Sequence, residues 1–302
     1  MHGAQPNRRD EGVTLALTGP VVLAVLFGAL LHASWNAIIK SGQDKQLDTA
    51  LIHGLGIVFA APLVLWVGLP DRAAWPYIAA TTVVHLGYYV ALAGAYKHGD
   101  LGLTYPVMRG CAPLLVAIGS HALIGERISS LAWIGVAATC AGVLVLGLSR
   151  SHLSGNAKQR RVALRFALVN ALIIATYTVI DGLGVRASGN ALAYVATLFL
   201  LDGIPYLLLV MWQRGAGRGA ALTYMAGRWK VAAVGTLASL SSYGIALWAM
   251  TQAPVATVAA LRETSVLFAA LISTFILGEH FGRQRAGGAL MVLAGVVLLR
   301  FA

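Results

Sequence analysis

Residues 108–127 read MRGCAPLLVAIGSHALIGER, and residues 261–280 read LRETSVLFAALISTFILGEH. The two stretches align without a gap: Met108-Arg109-Gly110 falls on Leu261-Arg262-Glu263, and Ile124-Gly125-Glu126-Arg127 on Leu277-Gly278-Glu279-His280. The offset is 153 residues at both ends (262 − 109 and 279 − 126). It also carries Gly135 onto Gly288 and Gly142 onto Gly295, and a looser match sets Ala33-Ser34-Trp35-Asn36 beside Ala175-Thr176-Tyr177-Thr178. Self-similarity at a long period marks a duplicated structural unit, so the chain reads as two copies of one fold.

Each copy holds an arginine inside a run that otherwise reads as a membrane-spanning helix. With 58% hydrophobic residues, 11% charged residues and a mean hydropathy of +0.77, the chain cannot cover itself with polar groups. Apolar runs of about 18 residues or more recur from end to end, so an all-α polytopic membrane protein is expected. The net charge of +11 does not indicate nucleic acid, because the basic residues lie in short connections between apolar runs. Attraction to anionic lipid headgroups accounts for them. Cys111 and Cys140 each fall inside an expected span without a CxxC or His-rich neighbourhood, so neither a disulfide framework nor a metal or cofactor site is indicated. The first apolar run, Gly12 to Ile39, is too long for a signal-peptide core and lacks a small-residue cleavage site, so it is read as a retained helix.

Breaking the hydropathy at charge and turn clusters predicts ten transmembrane helices: 12–39, 47–69, 73–96, 101–124, 130–148, 162–183, 190–212, 230–250, 254–277 and 284–301. The sizeable connections are 150–161 and 213–230, rich in Gly, Ser, Lys and Arg. The organisation is a first five-helix repeat over 12–148, a connecting loop over 149–161 and a second repeat over 162–301. An odd number of spans per copy makes the second enter from the opposite face. That is the inverted-repeat plan of many secondary transporters, with substrate near the midplane between the copies.

In these features the chain resembles the drug/metabolite transporter superfamily in its ten-helix EamA-type branch. The resemblance rests on the five-plus-five plan, the Gly125-Glu126-Arg127 and Gly278-Glu279-His280 turns, the Gly-rich fifth and tenth helices, and His32-Ala33-Ser34-Trp35-Asn36 with Lys40. His280 departs from the commoner arginine at its turn. The resemblance implies a multi-pass bacterial inner-membrane carrier or exporter of small metabolites, often amino acids, working by alternating access.

Arg109 and Arg262 each lie about eight residues inside a helix, roughly 12 Å below the membrane edge at 1.5 Å per residue. That is too deep for simple snorkelling, so a functional charge is expected. Entering from opposite faces of a core about 30 Å thick, the pair can clamp a carboxylate, phosphate or phosphonate through paired N–H donors. The alternative is that protein acids neutralise them, with Glu263 the nearest candidate. Glu263 is otherwise placed to meet a substrate ammonium or a proton.

Further polar groups recur at helical spacing. His85, Tyr88 or Tyr89, Leu92 and Tyr96 form a stripe on the third helix, with Tyr96 better placed in an interfacial belt. His32, Trp35 and Asn36 form a patch on the first, where His32 is more simply an interhelical packing residue. Asn170, Ile174, Tyr177 and Asp181 share a face of the sixth, with Asp181 read as a solvated carboxylate near the helix end. The eighth contributes Ser239, Ser241, Ser242 and Tyr243. The expected substrate-binding set is Arg109, Arg262, Glu263, His85, Tyr89, Trp35, Asn36, Tyr177 and Tyr243, with Glu263, His32 and His85 as proton-coupling candidates. Pro106 and Pro113 predict a disturbed helix around Arg109. Gly135, Gly142, Gly288 and Gly295 predict close packing within the monomer and leave a homodimer open. Glu126, Arg127, Glu279 and His280 read as turn caps, with gate ion pairs as the alternative.

Sidedness stays open. With the N-terminus inside, six of the basic residues other than Arg109 and Arg262 lie toward the cytoplasm and fourteen toward the opposite side. The positive-inside rule therefore opposes the orientation that the resemblance implies. The leading function is a secondary transporter, expected to export a small anionic or zwitterionic metabolite such as an amino acid. The alternative is a membrane-embedded enzyme on a lipid or peptide, using His32, His85 and Asp181. No GxSxG elbow, HExxH helix or Walker motif supports that alternative or direct ATP drive.

Overall fold

The computed structural model describes residues 17–98, 101–148, 157–275 and 282–302, and their side chains except at 89–90, 92–98, 101–102, 148 and 157. Among the described residues the chain is helical throughout, without strands. The helices are α1 (Gly19–Ser41), α2 (Lys45–Val67), α3 (Trp75–His98), α4 (Leu101–Gly119), α5 (Ser130–Leu148), α6 (Ala157–Ala187), α7 (Ala191–Arg214), α8 (Arg218–Gln252), α9 (Val255–Arg262), α10 (Ser265–Phe275) and α11 (Arg283–Arg300). Among the described residues, seven stretches are long and apolar enough to cross a membrane. One of them, Ala191–Gln252, holds both α7 and α8, joined through the short 3-10 turn Gly215–Gly217.

Helix ends follow local chemistry. Asp44 accepts from the Leu47 amide at 3.0 Å to start α2, and Asn190 accepts from the Leu192 and Ala193 amides at 2.9 and 3.2 Å to start α7. Gly125, at φ 72°, closes the π-turn Ser120–Ile124 after α4 in the left-handed conformation that glycine adopts without a Cβ penalty. Outward faces carry large apolar side chains such as Leu23, Phe27, Leu65 and Leu208, as a lipid-facing surface requires. Exposed Trp66 and Trp75 flank one end of the bundle and Trp212 the other, the placement of an interfacial belt.

Two expectations change. Residues 218–230 continue α8 rather than form a loop. At 35 residues α8 is about 52 Å long, well beyond a core of about 30 Å, so its basic first turns lie at the headgroups as helix. Helix α4 runs unbroken through Pro106 and Pro113. The interruption falls in the other copy, where α9 stops at Arg262 and α10 begins at Ser265.

In the packing, α5 lies on α11, α3 on α6, α2 on α7 and α1 on α8, while α4 touches α5, α6 and α9. Fully buried α9 residues Val255, Leu261 and the alanines between them place this short helix at the centre. The α5–α11 contact is nearly backbone on backbone. A Cβ on Gly142 would lie 2.7 Å from the Val292 nitrogen, and one on Gly295 would lie 2.8 Å from the Gly135 oxygen. The glycines of the two copies thus pack against each other within the chain. In lipid, where apolar burial adds nothing between helices, such close approach supplies the attraction.

At one end Arg214 bridges to Asp44 at 2.8 Å and Arg228 to Asp48 at 2.6 Å, tying the α1–α2 turn to α7 and α8. Burial would raise the Asp44 carboxyl, but hydrogen bonds from Arg214 and the Leu47 amide outweigh it and hold the group below its usual value.

Gly142→Ala should therefore lower the melting temperature of the purified protein, at a cost of about 1–3 kcal/mol for overpacking. Gly287→Ala, where an added Cβ meets nothing within 4 Å, should leave it unchanged or slightly raise it.

Candidate functional site: a central cleft with two arginines

The break between α9 and α10 makes the site. The Thr264 hydroxyl donates to the Leu261 carbonyl at 2.7 Å, and the Thr264 amide donates to the same oxygen at 3.1 Å. This local bond competes with the helical ladder, as threonine hydroxyls do, and the turn tightens at Glu263 without a proline or glycine. Arg262 and Glu263 are thereby turned toward α4 and α6. The start of α9 is fixed by the Glu126 carboxylate, which accepts from the Val255 amide at 3.0 and 3.2 Å.

On α4, Met108 and Ala112 pack on Ala167, Ala171 and Ile174 of α6. Arg109 then reaches Glu263, its Nη2 standing 3.1 Å from Oε1 with both side chains largely buried. The contact is one of charge rather than of aligned hydrogen bonds. Arg109 Nε and Nη2 and Glu263 Oε2 have no hydrogen-bond partner among the described residues. Unanswered buried polar atoms are costly, and these lie on the wall of a cleft. Arg109 and Pro113 from α4, Tyr177 from α6, and Ala259, Arg262 and Glu263 line that cleft, which encloses about 280 Å³ including its open mouth.

Arg262 is held differently. Its guanidinium carbon stands 5.1 Å from the centroid of the Tyr243 ring, within cation–π range, and it forms no ion pair among the described residues. The Tyr243 hydroxyl donates to Asp181 Oδ2, and Tyr194 donates to Asp181 Oδ1 at 2.9 Å. Asp181 is fully buried, which corrects its reading as a solvated carboxylate: α6 continues beyond it to Ala187, and α7 and α8 close over it. The His85 ring lies 4.5 Å from that of Tyr177, and its Nδ1 is 3.2 Å from Asp202 Oδ1.

The structure thus brings Arg109, Tyr177, Arg262 and Glu263 into one cleft, with Tyr243 and His85 behind it. His32 is within electrostatic reach of both arginines and makes an edge contact with Trp35 at 5.2 Å. Asn36 does not join the cleft but donates to the His32 carbonyl of its own helix at 2.8 Å. The Tyr89 and Tyr96 side chains, and Glu279 and His280, lie outside the described residues. Ser242 serves helix packing by donating to the Gly28 carbonyl at 2.7 Å. Asp202 and Tyr194 went unnoticed in the sequence; an aspartate within an apolar run was the signal for the first, and nothing local marked the second.

A bundle of apolar helices with buried ion pairs at its centre defines a multi-pass membrane protein built around an internal polar site. The model of the EamA-like transporter family matches residues 19–148 and again 161–301. The chain belongs to that family and is a membrane transporter. It is 37% identical over 79 residues to the multidrug resistance protein EbrB of Bacillus subtilis (strain 168), covering 26% of this chain and 67% of that one. A solved crystal structure of a protein 17% identical superposes with a TM-score of 0.73 over 94% of this chain and 98% of its own, a likeness of fold.

Glu263→Gln should strand the Arg109 guanidinium and lower stability by about 3–5 kcal/mol, the usual cost of breaking a buried pair. Replacing both residues by leucine should cost less than Glu263→Gln alone, a coupling that a double-mutant cycle of melting temperatures measures.

Proposed function

We propose that this protein is a secondary transporter for a small anionic or zwitterionic metabolite, such as an amino acid or a phosphonate, working by alternating access in a bacterial inner membrane. The observation that carries the reading is Arg262, a cation on the cleft wall held by an aromatic face and paired with no carboxylate among the described residues. A planar guanidinium receives a carboxylate or phosphonate through two parallel N–H donors, and the low dielectric of the cleft strengthens the attraction. The α-carboxylate of a zwitterion can share Arg262 and the unsatisfied Arg109 donors, while its ammonium meets Glu263 Oε2.

Ten spans in two inverted repeats fit this reading when α9 and α10 are taken as one broken span and α11 as the last. Helix pairing supports the exchange of halves. The α3–α6 contact has its counterpart in α1–α8, α4–α6 in α1 with α9 and α10, and α4–α5 in α9–α11, while α2–α7 and α5–α11 map onto themselves. The EbrB match supports it as well, since 79 residues at 67% make that relative about 118 residues long, near the size of one repeat. Outward movement is the direction that the resemblance favours.

The test is a thermal-shift screen of amino acids, phosphonates and organic acids on the purified protein. Ligands with an acid group should raise the melting temperature, by up to about 2.7 kcal/mol of stabilisation at a hundredfold excess over Kd, and Arg262→Ala should lose the response. An undiminished response in the variant, or a response confined to uncharged compounds, contradicts the proposal.

A further inference from the structure

The acid that the cleft itself does not use is Asp181. Its carboxyl has no exposed surface, and it forms no ion pair among the described residues. It lies six residues before the end of α6, so about 9 Å below that end of the helix. The groups that face it come from every neighbouring element. Tyr194 on α7 and Tyr243 on α8 donate to its two oxygens, the buried Thr81 hydroxyl on α3 lies beside it, and His85 on α3 is within electrostatic reach but stands 3.2 Å from Asp202 of α7. Tyr177 shares its helix, and Arg262 lies over the face of the Tyr243 ring whose hydroxyl meets Asp181.

We infer that Asp181 is the transporter's proton-binding site, and that the Tyr243 ring couples its charge to Arg262 in the cargo cleft. The inference rests on the transport function proposed above. A carboxylate in a membrane interior is held by donors or neutralised, and this one has the means for both. Ionised, it is an acceptor only, and two phenol O–H groups satisfy it. When a proton arrives from water, an O–H bond forms on Asp181, and the carboxyl becomes a donor. One phenol then gives up its donated hydrogen bond, accepts from the carboxyl instead, and turns its own O–H away from Asp181. The negative charge behind the Tyr243 ring disappears with that step. Arg262 then loses an attraction that held it toward Tyr243 and is freer to turn to a cargo anion. Linkage is reciprocal, so an anion on Arg262 favours the proton on Asp181, and cargo and proton bind together. Outward flow down the cargo's own gradient would then carry a proton with it. Asp181, rather than Glu263, His32 or His85, takes this role because Glu263 is committed to Arg109 and His85 to Asp202, while both arginines bear on His32.

The experiment needs no cargo. Infrared spectra of the protein in lipid vesicles, recorded as pH is lowered, should show the carbonyl band of a buried protonated carboxyl growing in with a single midpoint. Asp181→Asn, which keeps an acceptor for the phenols, should abolish that band, while Glu263→Gln and Asp202→Asn should retain it. Arg262→Ala and Tyr243→Phe, which remove a nearby positive charge and a donor to the ionised form, should each move the midpoint to higher pH. A band that persists in Asp181→Asn, one that is absent from the wild type, or a midpoint that does not move in Arg262→Ala overturns the inference. Because nothing is added but acid, failure of the ligand screen and failure of this titration are separate results.

Discussion

A guanidinium held deep in a membrane protein has to be answered by negative charge, and the contact of Arg109 with Glu263 is the constraint around which the centre of this molecule is arranged. The two residues belong to different copies of the repeated sequence. Their meeting requires α9 to lie against α4 and to end where it does, one residue before the acid. It also requires Thr264 to take the Leu261 carbonyl, so that the chain turns without a proline. The same break leaves Arg262 on Tyr243 and opens the cleft between α4, α6 and α9. One ion pair of imperfect geometry therefore fixes the helix break, the cleft and the availability of the second arginine.

The beginning of α9 shows how such a centre is tied to the rest. Arg186, at the end of α6, pairs with Glu126 at 2.7 Å and donates to the Met250 and Ala253 carbonyls at 2.7 and 3.1 Å. Glu126 in turn caps α9 through Val255. That glutamate therefore caps a helix distant from its own turn and at the same time pairs with Arg186. The contact gathers the α4–α5 turn and the ends of α6, α8 and α9 at one face, while Asp44 and Asp48 with Arg214 and Arg228 gather α2, α7 and α8 at the other. Motion that opens either end must exchange charge-assisted contacts rather than slide apolar surfaces. Such contacts switch between discrete arrangements.

Much of this was legible from residue order. Apolar run lengths locate the helices, and the 153-residue offset singles out the four glycines that meet crosswise between α5 and α11, Gly135 with Gly295 and Gly142 with Gly288. The cost of a charge in lipid singles out Arg109 and Arg262 and names Glu263 as the partner to consider. What escaped depends on contacts across the bundle. Asp181 looks terminal on a helical wheel because the end of α6 is not marked by its charges, and only α7 and α8 reveal that it is enclosed. Asp202 becomes meaningful only beside His85, which lies far away in sequence. The prolines of α4 withhold two donors from a helix that nevertheless runs on, while the break in the other copy contains neither proline nor glycine. A threonine hydroxyl, invisible to propensity rules, breaks α9–α10 instead, and the basic 218–230 stretch is helical because the interface tolerates charge on a helix.

The central claim is that the cleft receives the acid group of a small cargo between the two guanidiniums. A cryo-electron microscopy difference map between ligand-free protein and protein saturated with the strongest acid from the screen tests it most directly. The account predicts new density bounded by Arg262, Arg109 and Tyr177, with the Arg262 side chain withdrawn from the Tyr243 ring to meet it. Density that forms elsewhere while Arg262 stays on Tyr243 and the cleft stays empty would contradict it.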